Sequence, residues 1–82
     1  PGAQTVSVRQ SSSSHDGLIV YAGSFDGLTP DADSPVCAVL DGVCYEACPT
    51  EDGFQLLAPA GSELTLLVRT DGIFQSLQAV FE

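Results

Sequence analysis

The chain has 82 residues, enough for one domain and not two. It carries eleven acidic residues against Arg9 and Arg69, has no Lys, and has a net charge of −9. That balance excludes nucleic acid and anionic membrane surfaces as direct partners, since both are held by Lys and Arg. It suits solubility, high salt or docking onto a basic surface. The apolar fraction of 44% against 16% charged is that of a folded domain. A domain this small buries only about 60% of the surface of its unfolded chain, so its own core is modest.

In chain order, PGAQTVSVRQ has neither the basic start nor the apolar centre of a signal peptide. A Pro1 start fits a removed initiator Met and fits a trimmed fragment equally. TVSV and GLIVYAG read as strands, with QSSSSHDG as a polar, mobile loop between them. The expected division is 1–16 as an N-terminal arm, strand and polar loop, and 17–82 as a hairpin core, all within a single domain.

Asp-Gly occurs five times, at Asp16-Gly17, Asp26-Gly27, Asp41-Gly42, Asp52-Gly53 and Asp71-Gly72. Both residues tolerate positive φ, which the type I′ hairpin turn demands. Between β-branched and aromatic runs these pairs predict an all-β fold. It is expected to be a small barrel or sandwich of antiparallel hairpins, β-tulip-like, with at most one short helical turn.

A two-residue turn at Asp41-Gly42 opposes Leu40 to Val43, Ala38 to Tyr45 and Val36 to Ala47. Those six residues are expected to form the core face. Cys37, Val39, Cys44 and Glu46 fall on the other face. GLTPDADSP is a Pro/Asp loop unsuited to helix. TEDGFQLLA is the one helix candidate, with Thr50 as N-cap, weakened by Gly53 and ended by Pro59. A turn at Asp71-Gly72 puts Leu64, Leu66, Val68, Ile73 and Leu77 inward. Leu67, Phe74 and Val80 then lie on the opposite face with Arg69. Apolar residues on both faces mean that this hairpin is central or is covered by a partner, so Leu67, Arg69, Phe74 and Val80 are interface candidates.

Residues that could carry chemistry are few. His15, the single histidine, sits in a Ser-rich loop, where a solvated side chain is the plain reading. Cys37, Cys44 and Cys48 with His15 fit a zinc site only loosely, because no second Cys-x₂₋₄-Cys unit exists. Three cysteines are an odd number, and Cys37 and Cys44 are diagonal rather than opposed. The expectation is therefore three free thiols in a reducing compartment, none joined within one chain. Asp26, Asp31 and Asp33 lack the closing Glu of a calcium loop and read as a solvated acidic loop. No catalytic, metal or cofactor residues are assigned, and the sequence carries no enzyme signature.

The order Leu28-Thr29, Asp33-Ser34-Pro35-Val36, Asp41-Gly42, Tyr45-Glu46-Ala47 and Ala60-Gly61 through Thr65 to Arg69 resembles the small phage head-decoration, or cement, proteins. The similarity spans roughly residues 28–75, over half the chain, through short motifs of low specificity. It implies a homotrimeric all-β structural protein on the outer surface of a virion. Such a protein binds the major capsid protein and stabilises the head. A second resemblance, to bacterial PDZ domains, rests on TEDGFQLLAPAGSELTLLVRTDG, read as a helix ending in Leu56-Leu57 before a strand opened by Gly61. It implies a cytoplasmic module binding a peptide C-terminus by strand addition. Gly53 and Pro59 damage that helix, and no carboxylate-binding loop occurs near Val6 to Val8. An unassigned β module is the third reading.

Overall fold

Seven strands account for most of the chain in a computed structural model that describes residues 4–11, 15–25 and 27–82. They are β1 (Gln4–Gln10), β2 (Leu18–Ser24), β3 (Val36–Leu40), β4 (Val43–Pro49), β5 (Gly53–Pro59), β6 (Leu64–Thr70) and β7 (Ile73–Phe81). They close into a barrel in the order β1-β2-β5-β4-β3-β6-β7. Among the described residues the one helical element is a 3₁₀ turn at His15–Gly17.

The turn chemistry acts as the sequence predicts at Asp41-Gly42 and Asp71-Gly72, whereas neither residue of Asp52-Gly53 has positive φ and Gly53 begins a strand. Asp41 and Gly42 have φ of 48° and 87°, and Asp71 and Gly72 have 51° and 79°. The registers follow from those turns: Leu40 opposes Val43 and Val36 opposes Ala47, while Thr70 opposes Ile73 and Leu66 opposes Leu77. Period-2 alternation then sends Val36, Ala38 and Leu40 inward from β3, and Leu64, Leu66 and Val68 from β6. Val6, Val8, Tyr21, Phe54, Leu56, Ala58 and Leu77 complete the core. Fully burying a Leu, Val or Phe side chain contributes about 1.5–3 kcal/mol.

Val43 and Ile73 depart from the expected core face. They are 52% and 67% exposed. Each follows a hairpin turn directly, so it stands at the barrel rim, beyond the packed interior. Tyr45 is only half-buried there, though it packs against the core.

TEDGFQLLA is not a helix. Thr50 caps a tight turn instead: its hydroxyl accepts from the Gly53 amide at 3.0 Å, and its own amide donates to the Gly53 carbonyl at 2.9 Å. Beyond the turn, β5 runs Phe54, Leu56 and Ala58 inward and Gln55, Leu57 and Pro59 outward. The whole strand pairs with β2, from Gly53 opposite Ser24 to Pro59 opposite Leu18. A Cβ at Gly53 would collide with the Gly23 carbonyl oxygen and lie 2.6 Å from the Ser24 Cα. Glycine, read in the sequence as a weak point in a helix, is what lets two strands approach here.

The sheet is not wholly antiparallel. β1 runs parallel to β7, with Gln4 opposite Leu77 and Val8 opposite Phe81, and this pairing closes the barrel. β1 therefore belongs to the barrel wall, and its Val6 and Val8 are core residues. The polar-loop residues 12–14, and Asp26 of the Asp26-Gly27 pair, lie outside the described residues, as does the side chain of His15.

Buried Tyr21 joins the interior to one end of the barrel. Its hydroxyl donates to the Pro59 carbonyl and accepts from the Gly61 amide, both at 2.9 Å. One phenol thus satisfies two backbone groups where β5 leaves the sheet.

Candidate functional site

The four interface candidates sit on the outer face of β6 and β7. Arg69 opposes Phe74, and Leu67 opposes Ser76, so Phe74 is a diagonal neighbour of Leu67. Val80 lies farther along β7, opposite Ser7 of β1. Phe74 is 67% exposed and Val80 51%, while Leu67 is half-buried. β6 lies between β3 and β7 in the closed barrel, and its outward Thr65, Leu67 and Arg69 are half-buried. The apolar face continues onto β3, where Cys37 opposes Leu67.

Arg69 does not stand free on that face. Its Nε donates to Asp31 Oδ2 at 2.9 Å, and its Nη2 donates to Asp33. The Asp31 carboxylate also accepts from the Asp71 and Gly72 amides, each at 2.9 Å. The Gly72 amide, followed by the Arg69 guanidinium, holds the Asp31 carboxyl below its ordinary value of 3.8. Arg69 is pushed up in turn, first by Asp31. Asp31 and Asp33, expected as members of a solvated acidic loop, thus clasp the β6–β7 turn. The sequence signal was slight: an Asp-rich loop, and a single Arg in the last hairpin.

Asp41 does the same at the opposite end of the barrel. Its carboxylate accepts from the Glu63 amide at 2.9 Å and the Ser62 amide at 3.2 Å, and its own amide donates to the Glu63 carbonyl at 2.9 Å. The Glu63 amide and then Ser62 lower its pKa from 3.8.

The cysteines correct the sequence reading. Cys37 and Cys44 are joined as a disulfide across the β3–β4 hairpin, with Cα atoms 6.2 Å apart, and Cys48 is free and exposed. The register is the diagonal one expected, since Cys37 opposes Glu46 and Cys44 opposes Val39. A separation of 6.2 Å is within disulfide reach, because strand twist draws one diagonal of each pair together. The inference from an odd thiol count to a reducing compartment loses its basis. Among the described residues, no group of three or more His, Cys, Asp or Glu is placed to hold a metal ion.

No protein family, curated protein or solved structure matches this chain.

Proposed function

We propose that this chain is a structural, non-enzymatic protein that works by docking, as a decoration or cement protein on the outer surface of a phage-like head. In this reading it binds the major capsid protein and its own copies as a trimer. The observation that carries it is the outer face of the last hairpin, where Phe74 is exposed beside Leu67 and Val80 is exposed farther along β7, on a barrel whose interior is filled by its own side chains. Such an exposed apolar face marks an interaction surface. The acidic charge agrees with docking onto a basic shell, and the small core agrees with a protein that gains stability from neighbours.

The PDZ-like reading loses support at one place. It requires a helix ending in Leu56-Leu57, and Gly53–Pro59 is a strand paired along its length with β2. The deciding experiment measures mass in solution and retention on purified shells, for the native chain and for Phe74→Ala. Self-association or shell binding that Phe74→Ala weakens supports the proposal. A monomer that ignores shells and binds a peptide C-terminus overturns it.

A further inference from the structure

At the barrel end that carries the Asp71-Gly72 turn, a cleft of about 680 Å³ opens between the 30–35 loop and the β4–β5 turn. Its floor is made by Phe25, Val36, Ala47 and Phe54, with the Phe25 and Phe54 rings 5.3 Å apart. That volume is within the range of sites that take a ligand.

Both walls are held by hydrogen bonds. Asp31 fastens one to the tip of the last hairpin, and within that wall the Ser34 amide donates to the Asp31 carbonyl at 3.1 Å. The Thr50–Gly53 pair closes the other. A cleft with fixed walls binds without a large ordering cost.

The rim is of one sign. Glu46, Glu51 and Asp52 line it and are exposed. Among the described residues the ion pairs are Arg69 with Asp31 and Arg69 with Asp33, so Arg69 is already engaged. Arg9 lines an adjoining cleft that shares Thr50, Asp52 and Phe54 with this one, and it forms no ion pair among the described residues. An apolar floor inside an acidic rim is complementary to an aliphatic side chain flanked by cations.

We infer that this cleft docks an extended, Arg-bearing apolar segment of another protein. The occupant seats an aliphatic residue over Phe25 and Phe54 and sets its guanidinium groups against Glu46, Glu51 and Asp52. The cleft adjoins the outer face of β6 through the Asp31 and Asp33 bonds to Arg69 but is not lined by Leu67, Phe74 or Val80, so the inference does not rest on the cement reading.

The test is amide chemical-shift mapping on the isotopically labelled full chain. The probe is a blocked pentapeptide, Arg-Leu-Val-Leu-Arg, and the control is its Glu-flanked counterpart. The expected result is saturable shifts confined to Phe25 and residues 30–36 and 46–54 from the Arg peptide, none from the Glu peptide, and weakening as salt is raised. Replacing Glu46→Gln, Glu51→Gln and Asp52→Asn together should reduce affinity roughly tenfold, as three exposed ion pairs would. The variant's unperturbed spectrum elsewhere checks its fold, and the salt dependence of the native chain is a second measure of the same charges. No shifts at peptide concentrations on the order of 1 mM, a weak limit for binding, overturn the inference. So do shifts confined to β6 and β7, equal binding of the Glu peptide, or binding indifferent to salt.

Discussion

Asp31 and Arg69 meet twice: the Asp31 amide donates to the Arg69 carbonyl at 2.8 Å, and the Arg69 Nε returns a bond to the Asp31 carboxylate at 2.9 Å. A loop that the sequence describes only as Pro/Asp-rich is thereby fixed to β6 by backbone and side chain together. Asp31→Ala removes the carboxylate bonds to Arg69, Asp71 and Gly72 and keeps the backbone bond. Thermal unfolding should shift to lower temperature, and amide exchange should quicken at Asp71 and Gly72 while the β3 amides stay protected. Unchanged exchange at that turn would show that the clasp contributes nothing there.

Acid should reveal what Asp31 and Asp41 contribute to stability. The pKa values of Asp31 and Asp41 are lowered in the folded chain from the ordinary 3.8. A carboxyl depressed by folding stabilises fully above its unfolded value, and that contribution is lost as pH falls through the lower folded value. Protonation also relieves repulsion in a chain of charge −9, which acts in the opposite direction. The informative quantity is therefore a difference. Native chain minus the Asp31→Asn, Asp41→Asn double variant should give a stability gap that is constant near neutral pH and shrinks below about pH 4. A gap independent of pH contradicts the assignment.

Phe74→Ala should divide stability from association. The ring is 67% exposed, so truncation should change unfolding of the isolated chain by about 0.5 kcal/mol or less. If a neighbour covers the ring, association should weaken by about 1.5–3 kcal/mol. Differential scanning calorimetry of the isolated chain and sedimentation of the assembly give the two numbers.

Gly53→Ala should be costly although it adds one methyl group. That methyl meets the Gly23 carbonyl and the Ser24 Cα, which are backbone and cannot rotate away. Overpacking of this kind costs about 1–3 kcal/mol. Urea unfolding should show a lower midpoint, and an unchanged midpoint would mean that β2 and β5 are spaced more widely than the structure has them.

Thiol titration in denaturant without reductant should find one reactive group, Cys48, and three after reduction. The loop closed by Cys37 and Cys44 is short, so reduction should cost no more than about 2–3 kcal/mol. Three thiols before reduction would restore the expectation drawn from the sequence.

The hairpins were legible because their information is local. An Asp-Gly pair sets the turn, the turn sets the register, and alternation sets the faces. Val43 and Ile73 were misplaced because alternation gives direction and not distance from the rim. Gly53–Pro59 was misjudged because Thr50 and the two acids after it suit a helix start and a tight turn alike. Partners distant in sequence decided between them, chiefly Gly23 and Ser24 on β2. Leu67, Phe74 and Val80 were visible as apolar residues on the outward parity. The clasp on Arg69 and the cleft over Phe25 and Phe54 were not, since both join segments whose proximity no local pattern encodes.

The parallel seam between β1 and β7 has a kinetic consequence. β1 is made first among the seven strands, and one of its two neighbours is made last. While a ribosome is extending the chain, β1 can pair with β2 but keeps an open edge until β7 has emerged. Val6 and Val8 therefore wait for residues far downstream before the wall beside them is sealed. Pairings this distant in sequence slow folding, because loop entropy is lost before contacts repay it. Closure should accordingly be a late folding event, and an unsealed β1 edge is where an unfinished chain would be caught by another copy.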